Sequence, residues 1–203
     1  MTEPIEEIVD FFDYADAYFS ACKTIFPKQD WAKSVKEYSD HKDRVFRVGP
    51  VYQNLGLATE LTFKTSLLVS GFSKRNVTKL GHNLEKLLGE LRNTRDLNKV
   101  DDRAFEAATL VGPPPGMLQR IEKTGQSPQA WYLFSTHIRS LNSNYNLFEM
   151  HDGGTSAEKF RSRYPAKDRA YREVCVEAII AGLDTLMEEI QTELNQRLSK
   201  REN

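Results

Sequence analysis

Apolar residues recur every three or four positions along most of this chain. In residues 4–26, Ile5, Ile8, Phe12, Ala15, Phe19, Cys22 and Phe26 share one face with acids between them, the spacing of an amphipathic helix. Pro4 suits the first turn, where a missing N–H forfeits no intrahelical bond, and Pro27 ends the segment. Residues 51–70 place Leu55, Ala58, Leu61 and Leu68 on one face and Leu57, Phe63 and Leu67 elsewhere. A helix apolar around so much of its circumference belongs in the middle of a fold. Residues 80–92 carry a stripe of Leu84, Leu87, Leu88 and Leu91, and residues 101–111 form a further helical piece. Ser127 followed by Pro128 opens another helix, a capping hydroxyl and then a first-turn proline, with Trp131, Phe134, Ile138 and Leu141 as its stripe and an end before Asn142.

The longest pattern follows Pro165: Tyr171, Val174, Cys175, Ala178, Ile179, Gly182, Leu183, Leu186, Met187, Ile190, Leu194 and Leu198, uninterrupted by proline. Some thirty helical residues at ~1.5 Å each would reach about 45 Å, more than a bundle of this size needs. Its end is therefore expected to overhang and to pack on a second copy. Between these patterns, residues 30–48 are more polar and predict a short helix at 31–38 and then a basic link closing at Gly49-Pro50. Gly71 is a helix stop, and the run from Gly112 to Gly116, with three prolines inside, cannot continue a helix. Residues 144–158, with Gly153-Gly154, read as an inserted polar surface loop. No repeats emerge, nor strand pairs with hairpin turns. The prediction is an all-α, up-and-down helical bundle with a long C-terminal helix, one domain over residues 1–203. Its core is drawn from Phe12, Phe19, Leu61, Leu68, Leu84, Leu88, Trp131, Phe134, Ile179, Leu183 and Leu186.

Composition adds limits. With 39% hydrophobic and 28% charged residues, the chain suits a globular protein with solvated helix faces. The first residues lack the basic start and apolar run of a signal peptide, and no apolar run approaches membrane-spanning length. The cytoplasm is the expected compartment. Cys22 and Cys175 sit in helical apolar patterns and read as reduced core residues. A net charge of -1 argues against bulk electrostatic coating of nucleic acid. Charge is nonetheless sorted locally: Glu3, Glu6, Glu7, Asp10, Asp13 and Asp16 at the start, Lys159, Arg161, Arg163, Lys167, Arg169 and Arg172 around the start of the last helix. That sorting reads as solvated faces, as a phosphate-binding edge, or as complementary surfaces between protomers. His41, His137 and His151 are too scattered for a metal pattern, and no Walker A loop, dinucleotide fingerprint, nucleophile elbow or zinc-finger set is present. Neither metal nor cofactor is expected.

Two stretches carry a resemblance. Residues 60–88, ELTFKTSLLVSGFSKRNVTKLGHNLEKLL, hold a Glu and a Lys one turn apart, a basic joint, and then Gly81-His82-Asn83-Leu84 opening a leucine-bearing helix. Residues 160–165, FRSRYP, form an Arg-Tyr-Pro turn ahead of the final helix. In this order they resemble the HEPN (higher eukaryotes and prokaryotes nucleotide-binding) class of small helical-bundle proteins, a resemblance that covers residues 60–88 and 141–186, about two fifths of the chain. Nuclease members of that class carry an Arg, a polar residue and then a His after four to six positions, and Arg75, Asn76 and His82 fit the spacing. The resemblance would then imply a metal-independent endoribonuclease in which two protomers pair their Arg and His residues. A His can move the proton of a 2′-hydroxyl or of the leaving oxygen, and an Arg can stabilise charge on the phosphoryl oxygens, leaving a cyclic phosphate end.

The motif sits earlier in this chain than in nuclease members, with His82 close to a helix start, where the helix dipole disfavours a charged ring. Two readings of it stand side by side: a catalytic pair, or a His that orients the helix start beside a solvated Arg75. Arg161, Arg163 and Tyr164, near a helix N-terminus, form a candidate phosphate or nucleotide site through guanidinium forks and backbone N–H groups, or else a structural turn. The functional expectation is a non-catalytic HEPN-like module binding a nucleotide, RNA or a protein, in a two-component or defence system. The alternative is a HEPN endoribonuclease of toxin or defence type using Arg75 and His82, so whether the chain is an enzyme stays open. Expected partners are a second copy of the chain, a nucleotidyltransferase-type protein, and RNA or a nucleotide, with no membrane.

Overall fold

In the computed structural model, which describes residues 4–26, 41–149, 157–163 and 171–201, helix α1 (Ile5–Ile25) lies along α2 (His41–Val69). Ile5, Ile8, Ala15, Phe19 and Cys22 are its buried positions, one side of a 3.6-residue period. Phe12 is only partly buried. Pro4 is the N-cap residue rather than part of the first turn. The short helix expected at 31–38 lies outside the described residues.

Helix α2 corrects the sequence reading at its start. No break occurs at Gly49-Pro50, and Pro50 lies inside the helix. Proline forfeits a backbone bond and crowds the preceding turn, but Val48, Val51 and Tyr52 around it are buried, so packing overrides the local break. Gly49 allows close approach here, since a Cβ would meet the Tyr171 hydroxyl at 3.0 Å. The helix is central, as its all-round apolar character predicts: Leu55, Ala58, Phe63, Leu67 and Leu68 are buried, together with Thr59, Glu60, Thr62, Thr65 and Ser66. Thr59 and Thr65 bond the carbonyls of Leu55 and Leu61 one turn back, a way for a hydroxyl to be satisfied inside a bundle. Leu61 itself is half-buried.

Gly71, at φ 95, ends this run as a left-handed stop. The basic joint holds a short helix, α3 (Lys74–Lys79), capped by Ser73. Then come α4 (Leu84–Thr94), whose four stripe leucines are all buried, α5 (Asn98–Val111), and α6 (Met117–Lys123). The last of these is too short for a periodic signal. Ser127 caps as expected, but it opens a 3-10 turn, Pro128–Tyr132, and the α-helix, α7 (Phe134–Tyr145), follows it.

Helix α7 continues past Asn142 because its asparagines are held inside. Asn142 accepts the Leu84 backbone N–H at 2.9 Å. Asn144 donates to the Arg172 carbonyl and accepts its N–H, both at 2.8 Å. The same bonds explain why the final helix, α8 (Val176–Ser199), begins later than the apolar pattern suggested. The Arg172 backbone is committed to Asn144, and the Cys175 N–H donates to His137 Nδ1 at 3.3 Å. The loop expected at 144–158 contains, among its described residues, a short antiparallel pair, β1 (Leu147–Glu149) with β2 (Ala157–Lys159), Leu147 opposite Lys159.

The whole is an all-α, up-and-down bundle with a long C-terminal helix and inserted loops. Helix α8 runs against α5 and also meets α2, α7 and α1, and Gly182 lets Phe134 close on it, since a Cβ there would lie 2.7 Å from the ring. Of its apolar positions, Ala178, Ile179, Leu183, Leu186, Met187, Ile190 and Leu194 are buried in this bundle, and Leu198 at its end is 39% exposed. Both cysteines are free and buried, with thiol pKa values pushed up to about 12 by burial. No described helix is long and apolar enough to cross a membrane.

Candidate functional site

Glu60 is the hub of the site. Its side chain is 6% exposed and that of Lys64, one turn on, is 11% exposed. Lys64 Nζ donates to Oε1 at 2.6 Å, while Oε2 accepts the Tyr145 hydroxyl at 2.7 Å and lies 2.8 Å from His82 Nδ1. A carboxylate that accepts from a phenol and an ammonium has no hydrogen to give, so Nδ1 carries the proton, and Nε2 has no hydrogen-bond partner among the described residues. Tyr145 reaches Glu60 because Gly56, one turn earlier on α2, has no side chain: a Cβ there would overlap the tyrosine ring. Burial pushes the Tyr145 pKa far above its usual value and the charge of Glu60 adds to this, while the neighbouring Arg163 pulls the other way.

His82 arrives from the opposite side of the cluster by way of the joint. Gly81, at φ 64, turns the chain after α3, and Asn83 caps α4 by accepting the Lys86 N–H at 3.0 Å. The imidazole is left 49% exposed. Its ring meets Phe160 edge-on, with centroids 5.6 Å apart and planes at 80°. The Arg163 guanidinium stacks over the same phenyl ring at 3.9 Å, an arrangement favoured by the electron-rich face of the aromatic. Phe160 adopts φ 56, a left-handed conformation rare for a bulky residue and one that tends to mark functional sites. It is held there by its N–H on the Asn146 carbonyl at 3.0 Å and by the Arg163 N–H on its own carbonyl at 2.9 Å.

The fold thus brings His82 and Arg163, from the two candidate sites, onto one phenylalanine. Arg75 and Asn76 are exposed on α3. Among the described residues no hydrogen bond, ion pair or ring contact joins either to His82 in the same protomer; Asn76 bonds Ser73 Oγ through its backbone N–H. Arg161 is 1% exposed and points no guanidinium to the surface, in contrast to Arg163. Tyr164 lies outside the described residues.

Three partners went unrecognised as such. In the sequence Glu60 reads only as a Glu one turn before a Lys. Tyr145 sits one turn beyond Leu141 and would have extended that stripe had the asparagines not seemed to end the helix. Phe160 carried no signal beyond its place at the start of the FRSRYP turn.

Elsewhere, His137 is fully buried against Trp131, with ring centroids 4.9 Å apart. Burial lowers its pKa to about 4, partly offset by the Trp131 backbone. Among the described residues no three His, Cys, Asp or Glu side chains gather where a metal ion would be held. No family model, no curated protein and no solved structure matches the chain.

Proposed function

We propose that this chain is a HEPN-like module that binds RNA or a nucleotide through a phosphate at the His82–Arg163 face without cutting it. The observation that carries this reading is the shared contact of His82 and Arg163 with Phe160, which holds on one exposed surface the Arg163 guanidinium and a ring whose Nε2 becomes a second donor to a phosphate in the imidazolium form. Phosphate binding by an imidazolium, donating through Nε2 while Nδ1–H stays on Glu60, and by a guanidinium needs no further chemistry from the protein. The resemblance places such a module in a two-component or defence system, with a nucleotidyltransferase-type partner and a homodimeric state as associated proposals.

The test is titration of a short single-stranded RNA followed by fluorescence anisotropy. One charge-assisted bond is worth ~1.5–3 kcal/mol, so Arg163→Ala and His82→Ala should each weaken binding roughly tenfold or more, while Lys99→Ala changes little. Binding that both variants leave intact refutes the reading.

A second reading, a metal-independent endoribonuclease, is favoured by one specific observation: Glu60 holds His82 by Nδ1, leaving Nε2 free to move a proton. Its Arg75 would come from the partner protomer. Cleavage should then persist in chelator, give cyclic-phosphate ends and fall in both Arg75→Ala and His82→Ala. Unchanged rates in both folded variants rule out this site.

A further inference from the structure

A cleft of about 840 Å³ adjoins the His82 face, lined by α6, the Pro128–Tyr132 turn, α7 and residues 171–173, within the size range of sites for small organic ligands. Two wall residues link it to the phosphate site. Asn83 directly follows His82 in the chain, and Asn146 holds the Phe160 N–H on its carbonyl at 3.0 Å.

The two places differ in charge. At the rim, Arg163 and His82 face solvent. Inside the cleft, both wall acids are already engaged by wall arginines: Arg120 lies 2.7 Å from Glu173, and Arg139 lies 3.1 Å from Glu85. Apart from Arg172, which also lines the wall, what these pairs leave for a ligand is chiefly amide, hydroxyl and ring surface. Helix α7 turns Thr136, Ser140 and Ser143 toward the cleft, four and three residues apart on one helical face, and their small size keeps it open. Trp131 belongs to the same wall, and its buried indole Nε1–H has no acceptor among the described residues.

We propose that this cleft receives the base of the nucleotide whose phosphate sits at Arg163 and His82. This inference rests on the phosphate-binding reading and makes the ligand a ribonucleotide or single-stranded RNA with an unpaired base beside that phosphate. A nucleobase is neutral and flat, carries donors and acceptors on its edges and stacks on aromatic rings, which suits a polar cleft whose two acids are each paired with a wall arginine.

The experiment is calorimetric titration with adenosine 5′-monophosphate, ribose 5-phosphate and inorganic phosphate. The monophosphate should bind about tenfold or more tightly than ribose 5-phosphate, the gain expected of one stacked base. Ser143→Phe fills the cleft and should remove that preference, leaving ribose 5-phosphate affinity within about twofold of the parent. Ser140→Leu is a second filling variant, and circular dichroism establishes that each is folded. Arg163→Ala should weaken all three ligands. If the monophosphate and ribose 5-phosphate bind equally and still require Arg163, the cleft proposal is overturned and the phosphate reading stands. A preference for the monophosphate that survives in both folded filling variants also overturns it. Binding indifferent to Arg163, or no binding at all, sinks the phosphate reading and this inference with it.

Discussion

Replacing Glu60 by glutamine removes one charge and almost no volume, so its effect isolates electrostatics. Lys64 would be left 11% exposed with an ammonium deprived of its carboxylate. Removing one partner of a buried ion pair costs about 3–5 kcal/mol. The amide keeps an oxygen for the Tyr145 hydroxyl, and His82 is exposed enough for water to replace its bond, so the lower end, about 3 kcal/mol, is expected. For a chain of this size 1 kcal/mol shifts Tm by about 2–4 °C, giving a fall of roughly 6–12 °C. Urea and thermal unfolding followed by circular dichroism measure it. Because the stranded ammonium is the main cost, Lys64→Met should be less harmful, or even restorative, in the Glu60→Gln background than alone, with a coupling of about 1.5 kcal/mol or more. A Glu60→Gln variant within about 0.5 kcal/mol of the parent, or strictly additive effects, would refute the buried-hub account.

Gly56→Ala should push the Tyr145 ring off α2 and break its bond to Glu60, destabilising by about 1–3 kcal/mol; an unchanged Tm would mean that the ring does not lie against this glycine. Leu183, fully buried on α8, should cost ~2–5 kcal/mol as alanine, whereas exposed Gln196→Ala should be nearly neutral, and equal urea midpoints would overturn the core assignment. His137 titrates at about 4 in the fold against an ordinary 6.5. Between those values the unfolded chain holds a proton that the folded chain does not, so this contribution is complete above 6.5 and is lost as pH falls toward 4, by about 3 kcal/mol in all. His137→Gln should flatten that part of the urea-midpoint profile between pH 7 and 4.5; a profile identical to the parent's would show that another group is responsible.

Helices α1, α2, α4 and α8 were legible because burying one face of a helix imposes a repeat of three and four on the sequence itself. Cys22, Leu68, Leu84 and Leu183 could be placed inside from their neighbours alone. Errors arose where a local rule lost to a distant contact. Pro50 stays within α2 because the residues around it are buried, and Asn142 and Asn144 stay inside α7 because Leu84 and Arg172 lend them backbone partners. Residues 171–175 stay outside α8 because the backbone bonds of Arg172 and Cys175 go to Asn144 and His137. The site divides in the same way. His82 and Arg163 were visible as residue types with the right chemistry, but their meeting at Phe160, 78 positions beyond His82, is a property of how the joint and the turn pack on α2. Spacing of four made Glu60 and Lys64 a pair; only burial made that pair the hub of a site, since the worth of a charge depends on the water around it, which no one-dimensional pattern records.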